Sequence, residues 1–472
     1  MRKISLGLSR VAIIVLITIV LTAGIVVATS PTQPFTINRG VYPGAASFTL
    51  WVEDGTYFAK NQYGVIAYSG ADATVILDTI ASIGNVDVYI NPGNYSITHC
   101  SISADNVHLI GSGANTIFST TGDDYLLRIS VSHNFVIEGI TFEGDGDTLN
   151  TLQTLVTVSN DVSGLQILNC RFLNSGYDGI NLLFDVTNSV ISNNYFENIG
   201  DDAINPGGGG GAGSTINTII YGNIINGTTL GDGIHLSTQS VNSIVDSNII
   251  YDAAKAGIGI YNSQNHTISN NIIRNCVNGI KCLNGDTSNL LITNNQIFGA
   301  IGSGSDGCGI TLAYASTNTK VIGNTVKDAA TYGIWVLNSY NTSIIGNSIY
   351  DTPQGIRVQT SSGTFITNNN FIGIFEYGIV QSNAGYLYDV VINNYFYGTI
   401  TYDAIRVNHE YGTYSGNVFK GSIASWCTGE YGSADYNMIL NSDGSTQTNG
   451  FHTIGANSVG HTSFNGTSGW VA

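Results

Sequence analysis

The sequence predicts an all-β protein, a single-stranded right-handed parallel β-helix of ten or more coils opened by a short capping helix. A repeated phrase is the first of three observations behind this. Between Cys170 and Asn417 a β-branched or aromatic residue stands two places after an Asn, and a small residue followed by Ile comes eight to fourteen residues later. The Asn column reads Cys170, Asn194, Asn223, Asn248, Asn271, Asn295, Asn324, Asn347, Asn369, Asn394 and Asn417, in steps of 22 to 29 residues. Second, the apolar residues alternate in short runs such as ISNNYF, ISNNIIR and ITNNQIF. Such runs are strands, whereas helical repeats are longer and carry a 3.6-residue period. Third, 472 residues with 58 Gly and 10% charged residues supply one long core and show no second globular domain.

No single phrase can bury its own apolar face, so coils stack and equivalent positions line up in columns. In the Asn column, amides about 4.8 Å apart can bond along the stack and hold a tight bend. A second column (Gly179, Ala203, Gly233, Gly257, Gly279, Gly309, Gly333, Gly355, Gly378, Ala404) is small, which lets the chain turn into the next strand. Residues 30–70 read as an N-terminal β segment and 71–425 as the β-helix. At its start, DATVILDTIASIG places Val75, Ile76, Thr79 and Ile80 at helical spacing, and alternation resumes around a Pro92-Gly93 turn. A helix and strand there would plug a solenoid end that otherwise invites edge pairing. The aperiodic segment 426–472 is the expected cap or tail at the other end.

Net charge of −17 with 15 Lys plus Arg argues against nucleic acid or an anionic membrane surface as a partner. Only the N-terminus points to a membrane: Arg2, Lys3 and Arg10 precede an apolar stretch from Val11 to Ala28, followed by Thr29, Ser30 and Pro31. At 18 apolar residues, segment 1–29 reads either as a signal peptide or as a retained anchor. Both place the remainder outside the cell or at its surface. The Cys residues (100, 170, 276, 282, 308, 427) lack metal-site spacing and read as buried free thiols. Sequons at Asn94, Asn226, Asn265, Asn341 and Asn465 suit a secreted chain, though a sequence this rich in Asn and Thr produces them by chance.

The strings SGADATVILDTIAS, VDVYINPGNYSI and VHLIGSGANTIF, with the Asn-column coils after them, resemble the pectate-lyase-like superfamily, which includes pectate lyases, polygalacturonases and viral tailspikes. The resemblance runs from about Ser69 to Lys420. It implies the fold and leaves the activity open, since the superfamily hosts hydrolases, lyases, epimerases and adhesins.

Chemistry has to be read from the columns. Immediately before the small residue stand Asp178, Asp202 and Asp232 on successive coils, then Ala256, Asn278, Cys308, Tyr332, Gln354, Tyr377 and Asp403, and Asp201 adds a fourth acid. Carboxyls about 5 Å apart on adjacent coils cannot all ionise, so a proton donor arises beside proton acceptors. That is equipment for glycosidic hydrolysis, and an inverting enzyme holds its two carboxyls about 6.5 to 9.5 Å apart. YDGINL, GDDAINP and GDGIHL are similar, coil for coil, to the polygalacturonase pattern of one Asp, an Asp pair and then a His. The match implies acid and base roles for Asp178, Asp201 and Asp202. It departs from the family where Asp232 replaces the His, with His235 three residues on, and where AGIGIYN lacks the Arg and Lys. Two other readings of the Asp column stay open: Asp-Gly turn chemistry and a Ca²⁺ ion held by stacked carboxylates. No other cofactor is expected.

An outward column two residues after the small residue reads Asn181, Asn205, His235, Gly259, Lys281, Thr311, Trp335, Arg357, Val380 and Arg406. An exposed Trp among polar and cationic groups suits sugar stacking and uronate carboxylates, so Asn181, Asn205, His235, Lys281, Trp335, Arg357 and Arg406 are the expected substrate-binding residues. A solvated sheet face would contain similar residues. Two insertions, PGGGGGAGST from Pro206 and GAIGSGSDGC from Gly299, are candidates to wall a groove. The string from Glu143 to Asp147 has the acid spacing of a Ca²⁺ loop and lacks its other ligands. The sequence thus predicts an exported protein acting on polysaccharide, an inverting glycoside hydrolase with Asp178, Asp201, Asp202 and Asp232 at the bond. The alternatives are a non-catalytic surface fibre, adhesin or carbohydrate-binding protein, and a Ca²⁺-dependent polysaccharide lyase using Lys281 or Arg357 as base.

Overall fold

A computed structural model describes residues 46–429, without 121–123, 147–152, 208–212, 315, 383–388 and 408–412, together with five short strands beyond 432. The export segment, Asp147, most of the Gly run, the Cys427 side chain and most of 426–472 lie outside the described residues. The chain winds through about 13 turns of parallel β-structure. Each coil contributes three short strands, for example Val190–Ser192, Tyr195–Ile199 and Ile204–Pro206. These pair in parallel with Ile219–Tyr221, Ile224–Thr228 and Ile234–Leu236 of the next coil. The first strand of every coil builds one sheet, and the other two build a second, larger one.

The bend between the sheets explains the Asn-Asn and Gly-Asn pairs. Its first residue is left-handed, as at Asn193 (φ 55°), Ser247 (φ 57°), Asn270 (φ 57°), Gly323 (φ 66°) and Asn393 (φ 55°), a conformation that Gly and Asn adopt most readily. Its second residue is the ladder Asn. The Oδ1 of Asn248 accepts from the backbone N–H of Asn223 at 2.9 Å and from its Nδ2 at 3.0 Å, while Asn248 Nδ2 donates to the Ile220 carbonyl at 2.9 Å. The same exchange links Asn194 to Asn223 and continues to Asn417, with every member buried. Cys170 terminates the ladder, donating its N–H to Asn194 Oδ1 at 2.8 Å.

Inside the coil the strand after this bend presents one side chain per turn to a single stack. Phe142, Phe172 and Phe196 stack at 5.1 and 4.8 Å, Ile225, Ile250 and Ile273 continue the row, and Phe371, Phe396 and Phe419 resume ring stacking at 4.5 and 5.0 Å. The small-residue column faces this stack. A Cβ on Gly355 would lie 2.5 Å from the Gly378 carbonyl oxygen and 2.5 Å from the Phe371 ring. Close approach of the next coil, rather than conformational freedom, is therefore what selects the small residue there.

The N-terminal end is closed as expected, with one correction. The helix Ala73–Ala81 starts at Asp72, whose carboxylate accepts from the N–H groups of Thr74 at 2.9 Å and Val75 at 3.2 Å. It buries Ala73, Ile76, Leu77, Ile80 and Ala81, whereas Val75 and Thr79 face solvent. The apolar stripe runs one position over from the one expected, because Leu77 and Ala81 complete it. Strands Ala46–Glu53, Thr56–Asn61 and Ile66–Gly70 form an antiparallel ribbon whose first member pairs in parallel with Val86–Ile90. Cys100, Cys170, Cys276, Cys282 and Cys308 are buried and free. Among the described residues no helix is long and apolar enough to cross a membrane.

Candidate active site

The register brings the acids together. Asp178, Asp202 and Asp232 occupy equivalent places on three successive coils and are 0%, 3% and 0% exposed. Each uses one carboxylate oxygen to hold the next coil: Asp178 Oδ1 accepts the Asp202 N–H at 3.1 Å, Asp202 Oδ1 the Asp232 N–H at 2.7 Å, and Asp232 Oδ1 the Ala256 N–H at 2.7 Å. The column is thus an acidic counterpart of the Asn ladder, and the second oxygen of each residue remains for other partners.

Those partners are Asn181, Asn205 and His235, which the outward column had marked for substrate and which instead are turned onto the acids. Asp178 Oδ2 accepts from Asn181 Nδ2 at 2.6 Å and from Asn205 Nδ2 at 3.4 Å. His235 does not project into solvent as its outward position implied. Its Nδ1 lies 3.1 Å from Asp202 Oδ2 and 2.9 Å from Asp232 Oδ2, and its side chain is 23% exposed. The imidazole leans on the Tyr261 ring at 4.7 Å. Burial, which alone would depress its pKa, is outweighed by the two carboxylates, and the value rises to about 10. At neutral pH the imidazolium is therefore held between two acids.

Asp201 differs from its neighbours in keeping 21% of its side chain exposed, with Lys255 Nζ at 3.8 Å. Partial burial and then the charge of Asp202 raise its pKa above the usual carboxylate range, against the pull of Lys255 and His235. Asp178 is pushed well up, first by burial and then by Asp202. Tyr177, partly buried over the same acids, rises to about 12. Asp178, Asp201 and Asp202 each bring one oxygen within 4.8 Å of the others, as do Asp202, Asp232 and His235 with their ligand atoms. Either triad has the reach of a cation, but in the second the imidazolium already supplies the positive charge.

The other expected binding residues fall elsewhere. Lys281 is tied to Asp306 at 2.7 Å, and Asn278 donates to the same oxygen at 3.0 Å, so the insertion from Gly299 is strapped to the sheet face. Trp335 is half-buried rather than exposed, tilted against Tyr332 at 5.3 Å. Arg357 lies over the Tyr332 ring at 5.4 Å, and Arg406, which is exposed, over Tyr377 at 5.6 Å. Tyr177, Lys255 and Tyr261 were not singled out from sequence. Tyr332, Gln354 and Tyr377 stood in the Asp column, where their place before the small residue was the available signal.

The family described as "Right handed beta helix region" matches residues 129–297, and the family described as "Periplasmic copper-binding protein (NosD)" matches 295–423. Copper favours imidazole and soft sulfur ligands. Segment 295–423 contains one His (His409, outside the described residues), one Cys (Cys308) and no Met, so its residues do not fit a copper site. No curated protein matches the chain. Among solved structures, pre-mature gene product 12 of bacteriophage phi29 is 12% identical with a TM-score of 0.55, over 80% of this chain and 69% of that one. The N-terminal fragment of the same protein gives 11% and 0.52, over 82% and 91%. An alginate lyase from Paenibacillus sp. str. FPU-7 is 15% identical with a TM-score of 0.45, over 61% and 97%.

Proposed function

We propose that this right-handed parallel β-helix, which has the architecture of the pectate-lyase-like superfamily, is an exported polysaccharide-acting protein that hydrolyses glycosidic bonds at Asp201, Asp202 and His235. One observation carries the reading: Asp201 is a partly exposed carboxyl with a raised pKa, beside a carboxylate column that His235 bridges. A proton donor next to an acceptor is what glycosidic cleavage requires. The apolar stretch Val11 to Ala28 and the periplasmic description of one matched family support export.

In this mechanism Asp201 gives its proton to the glycosidic oxygen as the leaving sugar departs. Asp202 Oδ2, the oxygen not committed to the Asp232 N–H and held 3.1 Å from His235 Nδ1, bonds to the anomeric carbon through the 5% of its side chain that stays exposed. Asp201 then takes a proton from water, which displaces Asp202 and restores both carboxyls. One oxygen of Asp201 lies within 4.8 Å of one of Asp202, a nearest-atom spacing that suits the shorter carboxyl separation of retaining enzymes, about 5 to 5.5 Å, better than the wider inverting one. Retention of the anomeric configuration is therefore proposed here, in place of inversion. Asp178 and Asp232, fully covered, act by supporting the charge and position of Asp202.

A second reading has its own observation. Three carboxylates that each staple the next coil's N–H make a structural ladder, which serves a stiff non-catalytic fibre equally well. Incubation with polyuronates and neutral glycans, with and without chelator, separates the readings. A hydrolase releases reducing ends, a lyase gives unsaturated ultraviolet-absorbing ends that disappear with chelator, and a fibre gives neither. Asp201→Asn and Asp202→Asn should each lower turnover by about a hundredfold or more. Activity retained in both variants sinks the assignment.

A further inference from the structure

Four coils beyond His235, through the register His235, Gly259, Lys281, Thr311 and Trp335, lies a patch in which three polar atoms lack partners. At about 4.8 Å per coil this is roughly 19 Å along the axis, too far to touch the sugar at Asp201. Trp335 and Arg357 are register neighbours, as are Tyr332 and Gln354. Three of their polar atoms, Trp335 Nε1, Gln354 Oε1 and Arg357 Nε, are covered yet have no hydrogen-bond partner. Covered polar atoms are ordinarily satisfied, and leaving one bare is costly, so three in one patch are out of keeping with a merely solvated face.

The charge adds a second argument. On a chain of net charge −17, neither Arg357 nor Arg406 has a carboxylate within ion-pair distance among the described residues. Each guanidinium is instead laid over a tyrosine of the preceding coil, with its Nη1 3.2 Å from that hydroxyl. This fixes the plane of the fork while leaving other N–H groups free. Arg406 follows Arg357 by two coils, about 10 Å, a spacing close to a disaccharide unit of an extended glycan.

We propose that Trp335, Gln354, Arg357 and Tyr332 form a second saccharide-binding site, separate from the acid cluster, that takes a sugar bearing an anionic group, with Arg406 receiving the next charge along the chain. Arg357 pairs with the anion, the Trp and Tyr rings offer apolar surface to the sugar's C–H face, and the half-buried Trp335 and Gln354 side chains turn outward on binding so that Nε1 donates to, and Oε1 accepts from, sugar hydroxyls. The site holds a long substrate, or anchors the protein to a charged matrix, whether or not the acid cluster is catalytic.

The test is calorimetric titration of the full chain carrying Asp201→Asn, so that any ligand stays uncut, with a uronate oligosaccharide, a sulfated oligosaccharide and a neutral glucan of matched length. The expected result is binding of at least one anionic oligosaccharide, with the neutral one weaker by about tenfold or more. Arg357→Ala should weaken binding by about 10- to 100-fold, Arg357→Lys by less, and Trp335→Phe should weaken it and remove the binding-induced change in tryptophan fluorescence. The preferred anion distinguishes carboxylate from sulfate recognition. Equal binding of the neutral glucan overturns the proposal. So does unaltered anionic binding by Arg357→Lys and Trp335→Phe proteins that unfold at the parental midpoint. Asp201→Asn measured against the parent reads turnover alone, so failure of the hydrolase assignment leaves this result distinct.

Discussion

His235 offers the most direct test of the electrostatics of the acid cluster. Its pKa rises from 6.5 to about 10 while its side chain is only 23% exposed. At about 1.36 kcal/mol per unit, that shift corresponds to a net preference for the imidazolium on the order of 5 kcal/mol, the pull of Asp202 and Asp232 less the opposing cost of burial. A group raised in the folded state stabilises fully below its unfolded pKa, and this contribution is lost as pH climbs through the folded value. The window is therefore roughly pH 6.5 to 10. Inside it the folded chain holds one more proton than the unfolded one, and stability falls by about 1.4 kcal/mol per pH unit. Between pH 7 and about 8 the six unfolded thiols begin to ionise as well, so the slope to measure is the difference between the parent and a variant without the imidazole, in which their contribution cancels. Urea unfolding of parent and His235→Gln proteins at those two values should show the parent losing about 1.2 kcal/mol more than the variant, the unfolded His still being partly protonated at pH 7. His235→Gln should also be the less stable protein at pH 6, since two covered carboxylates then face each other without a cation. Parallel pH dependence in the two proteins, or a His235 NMR resonance titrating near 6.5, would refute the clamp.

Two further outcomes follow from the ladders. Asn271→Ala removes the acceptor of the Asn248 N–H and the donor to the Val245 carbonyl, and should cost about 2 to 5 kcal/mol in urea unfolding, with the exposed Asn270→Ala costing less. Asp178→Asn should be neutral or stabilising at pH 7. The Asp178 pKa is raised by burial, so its stabilisation is present below the unfolded carboxyl pKa and lost as pH rises through the folded value, and the amide removes that loss. Asn181 Oδ1, which has no partner, can accept from the new amide once its own side chain turns. Asp178→Ala, which strips the acceptor from the Asp202 N–H, should instead destabilise by about 1 to 3 kcal/mol.

The columns were legible because a solenoid converts period into proximity. Asp178, Asp202 and Asp232 could be placed side by side from spacing alone, since parallel coils repeat the same register. The same arithmetic identified the buried Asn ladder but not the residue before it. Asn193, Ser247 and Asn270 carry the left-handed turn, and the Asn-Asn pairs held that information. The cap helix was found and its face misplaced, because Val75 and Leu77 are equally apolar and only packing against the strands decides between them.

What the sequence by itself determined is the coil, its bends and its columns, because these depend on local periodicity and on interactions repeated identically at every turn. The tertiary structure alone decided where each side chain points once in its column. His235 bends onto two acids although its backbone position faces outward, Asp201 keeps 21% of its side chain exposed while Asp202 keeps 5%, and Trp335 sinks against Tyr332. Rotamer and exposure depend on which neighbours the adjoining coils supply, and those neighbours differ from turn to turn while the backbone does not.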